Sequence, residues 1–191
     1  MQVILASQSP RRKELLGLFH IPFTIQVPDV DETMDPNAPA QEQVAQVSCR
    51  KAQAVSRGAE DVVIAADTIV VCDGEILGKP KDTADASRML HLLSGRDHQV
   101  MTGLTVLRGE RCVTHTEITH IHFRELSTRE IEAYIRTGEP MDKAGSYGIQ
   151  GGAALFAEKM VGDYYNVMGL PVCRLGQILR ELAPEIMEET A

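Results

Sequence analysis

The 191-residue sequence contains no CxxC pair, no excess of basic residues, no internal repeat and no low-complexity tract. Each absence excludes a class. Its four cysteines, Cys49, Cys72, Cys112 and Cys173, are widely spaced, which predicts reduced thiols in a cytoplasmic protein and not a disulfide scaffold or a zinc ribbon. Nineteen Lys and Arg stand against 27 Asp and Glu, a formal net charge of −8. A general nucleic-acid binder needs a basic face to displace counterions, so nucleic acid is excluded as a partner. No apolar run approaches the roughly 18 residues that span a bilayer, and no membrane partner is expected. Met1–Ala6 lacks a basic leader and a long apolar region, and reads as a first strand instead of a signal peptide. No GxxxxGK[ST] sequence is present, which argues against a P-loop kinase.

What remains is ordinary globular composition, 43% apolar and 24% charged, enough for one domain. The pattern alternates. Strands are predicted near Val3–Ala6, Val62–Cys72, Glu75–Leu77, Gln99–Leu107, Cys112–Phe123, Ala153–Met160 and Tyr164–Met168. Helices are predicted near Pro10–Phe19, Gln41–Arg57, Thr83–Leu93 after the N-cap Asp82, Ser127–Thr137 with a capping box, and Val172–Leu182. Asp73-Gly74 signals a two-residue hairpin. The fold class is therefore α/β, a mixed sheet with flanking helices. Leu15, Leu16 and Leu18 are candidate core residues, and Tyr164 and Tyr165 read as packed strand residues. His120 and His122 share a strand face but lack a third ligand.

Two features point to chemistry. Ser7-Gln8-Ser9-Pro10-Arg11-Arg12-Lys13 places an N-cap serine and an N1 proline before three cations at the positive end of a helix dipole. Each cation there is disfavoured by roughly 0.3–1 kcal/mol, a cost that a bound phosphate turns into attraction. A solvated helix end with Glu14 as counter-charge is the plain alternative. The second feature is Asp67, a carboxylate inside the apolar run Val62–Val71, which needs a cation, a metal or a cleft. An ideal hairpin register puts Cys72 opposite Glu75 and Thr68 opposite Lys79. Asp67 then neighbours Lys79, on opposite faces unless the Gly78-Lys79-Pro80 stretch is irregular. A structural ion pair is the alternative to catalysis. Glu32, with Asp29 or Asp31, offers further carboxylates for a divalent cation.

These segments, with Leu93-Ser94-Gly95, Met141-Asp142-Lys143-Ala144-Gly145-Ser146-Tyr147-Gly148-Ile149-Gln150-Gly151 and Gly169-Leu170-Pro171, resemble the Maf family of nucleoside triphosphate pyrophosphatases, in the family's order and over nearly the whole chain. The resemblance implies a two-lobed fold around a cleft, like that of the inosine triphosphate pyrophosphatases. It implies hydrolysis of a nucleoside triphosphate to the monophosphate and pyrophosphate with Mg²⁺ or Mn²⁺, and a homodimer would be in keeping with it. By position, Asp67 matches the catalytic base and a metal-side carboxylate, and Glu32 an acidic metal-side residue. Ser7, Arg11, Arg12, Lys51 and Lys79 match phosphate-handling groups, and Arg11, Thr68 and Gln150 positions of substrate choice. Asp142–Gly151 resembles the dTTP/UTP-type branch, although Ser146 stands where alanine is common. The Gln150 amide, one donor and one acceptor, suits the N3–H and a carbonyl of uracil or thymine. A structural loop glutamine is the alternative. Two other functions use the same features: a nucleotide-binding regulator of cell division with little turnover, and a phosphatase of the terminal phosphate.

Overall fold

The computed structural model describes residues 1–55 and 57–188, with the side chain of Glu188 left aside. Seven strands form one mixed sheet: β1 (Val3–Leu5), β2 (Thr24–Ile25), β3 (Val62–Cys72), β4 (Glu75–Leu77), β5 (Asp97–Arg108), β6 (Arg111–Phe123) and β7 (Ala157–Val161). Their order is β2-β1-β3-β5-β6-β7, with β4 on β3. β1 pairs in parallel with β2 and β3, whereas β3–β4 and β6–β7 are antiparallel. Helices α1 (Pro10–Gly17), α2 (Ala40–Ala54), α3 (Thr83–Leu93), α4 (Thr128–Arg136), α5 (Tyr164–Met168), α6 (Val172–Leu182) and α7 (Pro184–Glu188) flank the sheet. No helix among the described residues is long and apolar enough to cross a membrane. All four cysteines are free.

The chain folds into two compact units, each built from separated stretches. The first comprises Met1–Asp67, Thr102–Glu117 and Gly169 onward. Part of its core is Ile4, Ala6, Ala52, Val55, Val63, Ala65 and Leu107. Helix α2 lies with its backbone directly on β5: a Cβ built on Gly103 would stand 2.4 Å from Val44 O. One turn further along, Ser48 Oγ meets Thr105 Oγ1 at 2.8 Å. Val44, Ser48 and Lys51 follow one another at helical spacing, so the same stripe that packs also presents Lys51.

The second unit comprises Thr68–Met101 and Ile118–Met168. The Asp73-Gly74 hairpin has both residues at positive φ, 50° and 82°, as a tight two-residue connection requires. The register pairs Cys72 with Glu75, as expected, and ends at Val70–Leu77. The predicted Thr68–Lys79 step is thus not part of the ladder. Aromatics are few in this protein, four Phe and four Tyr, and half of them gather here. Phe123, Tyr147, Phe156 and Tyr134 meet edge to face at 4.8–6.0 Å, and buried His98 joins them with Nε2 2.9 Å from Tyr147 Oη. The Ser127–Glu130 capping box at the start of α4 is complete in both directions.

Several predicted boundaries move. α1 stops at Gly17, which leaves Leu18 half exposed instead of in the core beside Leu15 and Leu16. α2 ends at Ala54, short of Arg57, and Ser56 within that expected helix lies outside the described residues. Ala153–Met160 is not one strand: Gly152–Leu155 is a short 3-10 helix and β7 begins at Ala157. Tyr164–Met168 is helical, because Asp163 Oδ1 accepts from the N–H groups of Tyr165 (2.7 Å) and Asn166 (3.3 Å), an N-cap that outweighs the strand propensity of two tyrosines. Both tyrosines are consequently exposed.

Two outcomes are expected for stability. Gly103→Ala forces a methyl into the α2 backbone and lowers the unfolding free energy by about 3 kcal/mol, read as a drop in the urea midpoint. His98 is held to about 4 by burial, against 6.5 in the unfolded chain. Between these values the unfolded chain binds a proton that the folded one refuses. The stabilisation is therefore complete above pH 6.5 and declines by about 1.4 kcal/mol per unit as the pH falls toward 4. Denaturation of wild type and His98→Gln at pH 7 and 4.5 should show the steeper loss in wild type.

Candidate active site

In the first unit, five of the sequence-predicted residues come together around one buried carboxylate. Asp67 sits near the middle of β3, and Lys51 reaches it from α2, Nζ to Oδ1 at 2.7 Å. The same ammonium meets Glu32 Oε1 at 2.8 Å. Asp67 and Lys51 are buried, whereas the Glu32 side chain is 61% exposed. Glu32 is held in place by its neighbours in the irregular segment before α2. Asp31 Oδ1 accepts from Thr33 N at 2.8 Å, and Arg50 Nη2 donates to Thr33 O at 2.8 Å. Successive residues of α2, Arg50 and Lys51, thus grip successive residues of that segment. Asp31 is spent on its own turn, and its Thr33 bonds hold its carboxyl below the ordinary range.

The start of α1 supplies the rest. Ser9 caps the helix with its Oγ 3.4 Å from Arg12 N, and Pro10 occupies the first turn, as read from the sequence. Ser7 Oγ accepts from Ser9 N at 3.1 Å and from Arg12 Nη1 at 3.4 Å. Arg12 Nε donates to Gly169 O at 2.8 Å, at a turn that Gly169 makes with φ 108°. Burial lowers the Arg12 pKa; Asp67 and Glu32 act in the opposite direction, and the like charge of Arg11 adds to the lowering. Arg11, Arg12, Glu32, Lys51 and Asp67 therefore act on one another within a single charged cluster. No acidic residue occupies the first turn of α1.

The other sequence-predicted residues lie in the second unit. Thr68 follows Asp67 on β3 and is half-buried. Lys79 is exposed in the stretch after β4, and Gln150 is exposed in the turn before the 3-10 helix Gly152–Leu155. Their two segments are tied together: Gly145 N donates to Gly78 O at 3.0 Å, and a Cβ on Gly145 would strike Val70 at 2.8 Å. Ser146 Oγ, the departure noted above, is buried and donates to Met89 Sδ at 3.1 Å. His120 and His122 form no metal centre among the described residues; His122 Nδ1 meets Asp97 Oδ1 at 3.1 Å.

The donor chemistry can be tested for a divalent cation. Two carboxylates already converge on one cationic nitrogen, that of Lys51, so the position is electrostatically suited to positive charge. Among the described residues no three His, Cys, Asp or Glu could hold a metal between them. Such a donor set fits a hard cation that takes one or two carboxylates and completes its shell with phosphate oxygens and water. It does not fit an all-protein cage.

The chain is similar to known proteins along nearly its whole length. A family model described as Maf-like protein matches residues 2–182. The chain is 53% identical over 182 residues to a dTTP/UTP pyrophosphatase of Symbiobacterium thermophilum, covering 94% of this chain and 93% of that protein. It is 50% identical over 179 residues to a dTTP/UTP pyrophosphatase of Bacillus cytotoxicus, covering 93% and 94%. The fold is also similar to the Ham1 proteins of Staphylococcus aureus and Coxiella burnetii. Each has a TM-score of 0.50, at 12% and 15% identity, covering 95% of this chain and 98% and 99% of theirs.

Removing one partner from the buried pair should be costly, and removing its exposed neighbour should not. Lys51→Met is expected to lower stability by about 3 kcal/mol, because Asp67 loses its bonded cation in a buried position. Glu32→Gln should change it by less than about 1 kcal/mol. Urea denaturation of the two variants at one pH separates them. Equal losses would contradict the burial assigned to the pair.

Proposed function

We propose, since the chain belongs to the Maf-like protein family, that it is a nucleoside triphosphate pyrophosphatase acting on dTTP and UTP. The observation that carries the reading is the Lys51–Asp67–Glu32 cluster beside the basic start of α1. The names of the similar proteins from Symbiobacterium thermophilum and Bacillus cytotoxicus support the same substrates.

In this mechanism Arg11, Arg12 and Ser7 gather the triphosphate at the helix start, where N–H groups and guanidinium forks meet phosphate oxygens. Lys51 orients the Asp67 carboxylate by binding Oδ1. Asp67 takes a proton from a water whose oxygen attacks the α-phosphorus. The bond from that phosphorus to the α–β bridging oxygen breaks, and its electron pair leaves on pyrophosphate. Arg12 stabilises charge that develops on the phosphoryl oxygens. A Mg²⁺ or Mn²⁺ ion held by Glu32 and Asp67 would supply neutralisation of that charge. Lys79 serves the phosphates, and Thr68 and Gln150 serve the choice of nucleotide, Gln150 by pairing its amide with the uracil or thymine edge.

Ion-exchange analysis of a panel of nucleoside triphosphates, incubated with the protein and either metal, tests this. Nucleoside monophosphate and pyrophosphate in equal amounts from UTP and dTTP are expected. Orthophosphate as the product would replace the reading with a terminal phosphatase, and intact UTP that nonetheless binds would make the protein a regulator. Asp67→Asn keeps the shape of the site but removes the proton acceptor. Its kcat should fall about 10²–10⁴-fold, and a variant with wild-type turnover would remove Asp67 from the role of base.

A further inference from the structure

Three of the five residues from Gly148 to Gly152 are glycines, and they flank Ile149 and Gln150. The reason lies beneath them. A Cβ on Gly151 would stand 2.1 Å from Glu139 Oε1, one on Gly148 2.7 Å from Lys143 Cε, and one on Gly152 3.2 Å from the Tyr134 ring. The loop backbone therefore rests directly on three side chains with no side chain of its own between.

Those contacts are directed hydrogen bonds as well as packing. Tyr134 Oη donates to Glu139 Oε1 at 2.9 Å and accepts from Gly148 N at 3.1 Å. Glu139 Oε2 accepts from Gly152 N at 3.0 Å. The loop is pinned at its first and last residues, and the pins converge on one carboxylate. Lys143 Nζ closes the floor by donating to Glu139 O at 2.7 Å and Asp142 Oδ1 at 2.6 Å. Burial, with Glu139 beside it, pushes the Tyr134 phenol up from its ordinary value, although the Gly148 bond opposes this. The phenol keeps its proton and fills both roles at once. Below, the Tyr134 ring stacks edge to face on Phe156 at 5.2 Å, which ties the loop floor to the aromatic core.

An amide side chain cannot by itself separate uracil from guanine. Guanine presents N1–H beside the O6 acceptor, the same order as N3–H beside O4 in uracil. What differs is reach, because the second ring of the purine carries that edge further from the sugar. Discrimination then depends on where the amide stands. We propose that Glu139, braced by Tyr134, is a positioning residue for base selection: it sets the height of the 148–152 loop and so makes Gln150 meet a pyrimidine and not a purine. This rests on the reading of Gln150 as the residue that faces the base.

The test is the ratio of kcat/KM for UTP to that for GTP, measured with Mg²⁺. Glu139→Ala and Tyr134→Phe should each lower the ratio about tenfold, mainly through a higher KM for UTP, since the loop loses a support. Glu139→Gln keeps the length of the side chain and a carbonyl acceptor, and should retain most of the ratio. Gly151→Ala should behave like Glu139→Ala, because its methyl pushes the Glu139 carboxylate away from the loop that it supports. It and Tyr134→Phe decide the matter if Glu139→Ala does not fold. A fall in UTP and GTP turnover by the same factor would make Glu139 a structural residue only and overturn the proposal. Gln150→Ala separates the two layers. If it abolishes the preference while the Glu139 and Tyr134 variants keep it, only the positioning role fails; if it leaves the preference intact, the base-facing reading fails with it.

Discussion

A carboxylate buried in the middle of a largely apolar strand needs a charged partner, a metal or a cleft. In this protein the partner is Lys51, and it arrives because α2 is pressed against the sheet. Gly103 makes that approach possible by leaving room for the Val44 carbonyl, and the Ser48–Thr105 bond fixes the helix along its axis. Lys51 follows Ser48 by one turn on the same stripe. A packing decision on β5 thus sets the electrostatics of β3. Glu32 and the start of α1 are arranged around the resulting pair.

The energetic logic of the cluster is that of a site assembled against local preference. Cations crowd the positive end of a helix, two carboxylates share one ammonium, and Arg12 is partly stripped of water. Cations at the start of a helix are disfavoured by the dipole alone, and an anion bound there reverses the sign. The second unit follows a different logic. Its loop from Gly148 to Gly152 is held by neutral and charged hydrogen bonds over an aromatic core, which suits recognition by shape and donor pattern instead of charge.

Some elements were readable because a few adjacent residues decide them. The Asp82 cap of α3, the Ser127–Glu130 box of α4 and the Asp73-Gly74 hairpin depend on contacts within one turn, the apolar stripe of α6 on helical spacing alone, and all stand as expected. The region from Ala153 to Met168 departs from the two strands expected there. Its apolar and aromatic content suggests strands, but the Asp163 cap and the buried Asn166, which donates to Val100 O and Thr119 Oγ1, make Tyr164–Met168 a helix. Both of these partners are distant in sequence, and no local pattern announces them.

Sequence alone determined the class of the fold, the capped, cation-rich helix start in the Ser7–Lys13 segment and the anomaly of Asp67, because these follow from periodicity, capping and the cost of a charge in an apolar run. Lys51 entered only through resemblance, since a lysine in the last turn of a helix is ordinary. Tertiary structure decided that this lysine is the partner of Asp67 and that the β3–β4 ladder stops short of Lys79. It also decided that Glu139 and Tyr134 lie under the Gln150 loop. The physical reason is common to all three: hydrogen bonds and ion pairs act over about 3 Å, and only the folded chain brings residues separated by many positions within that range.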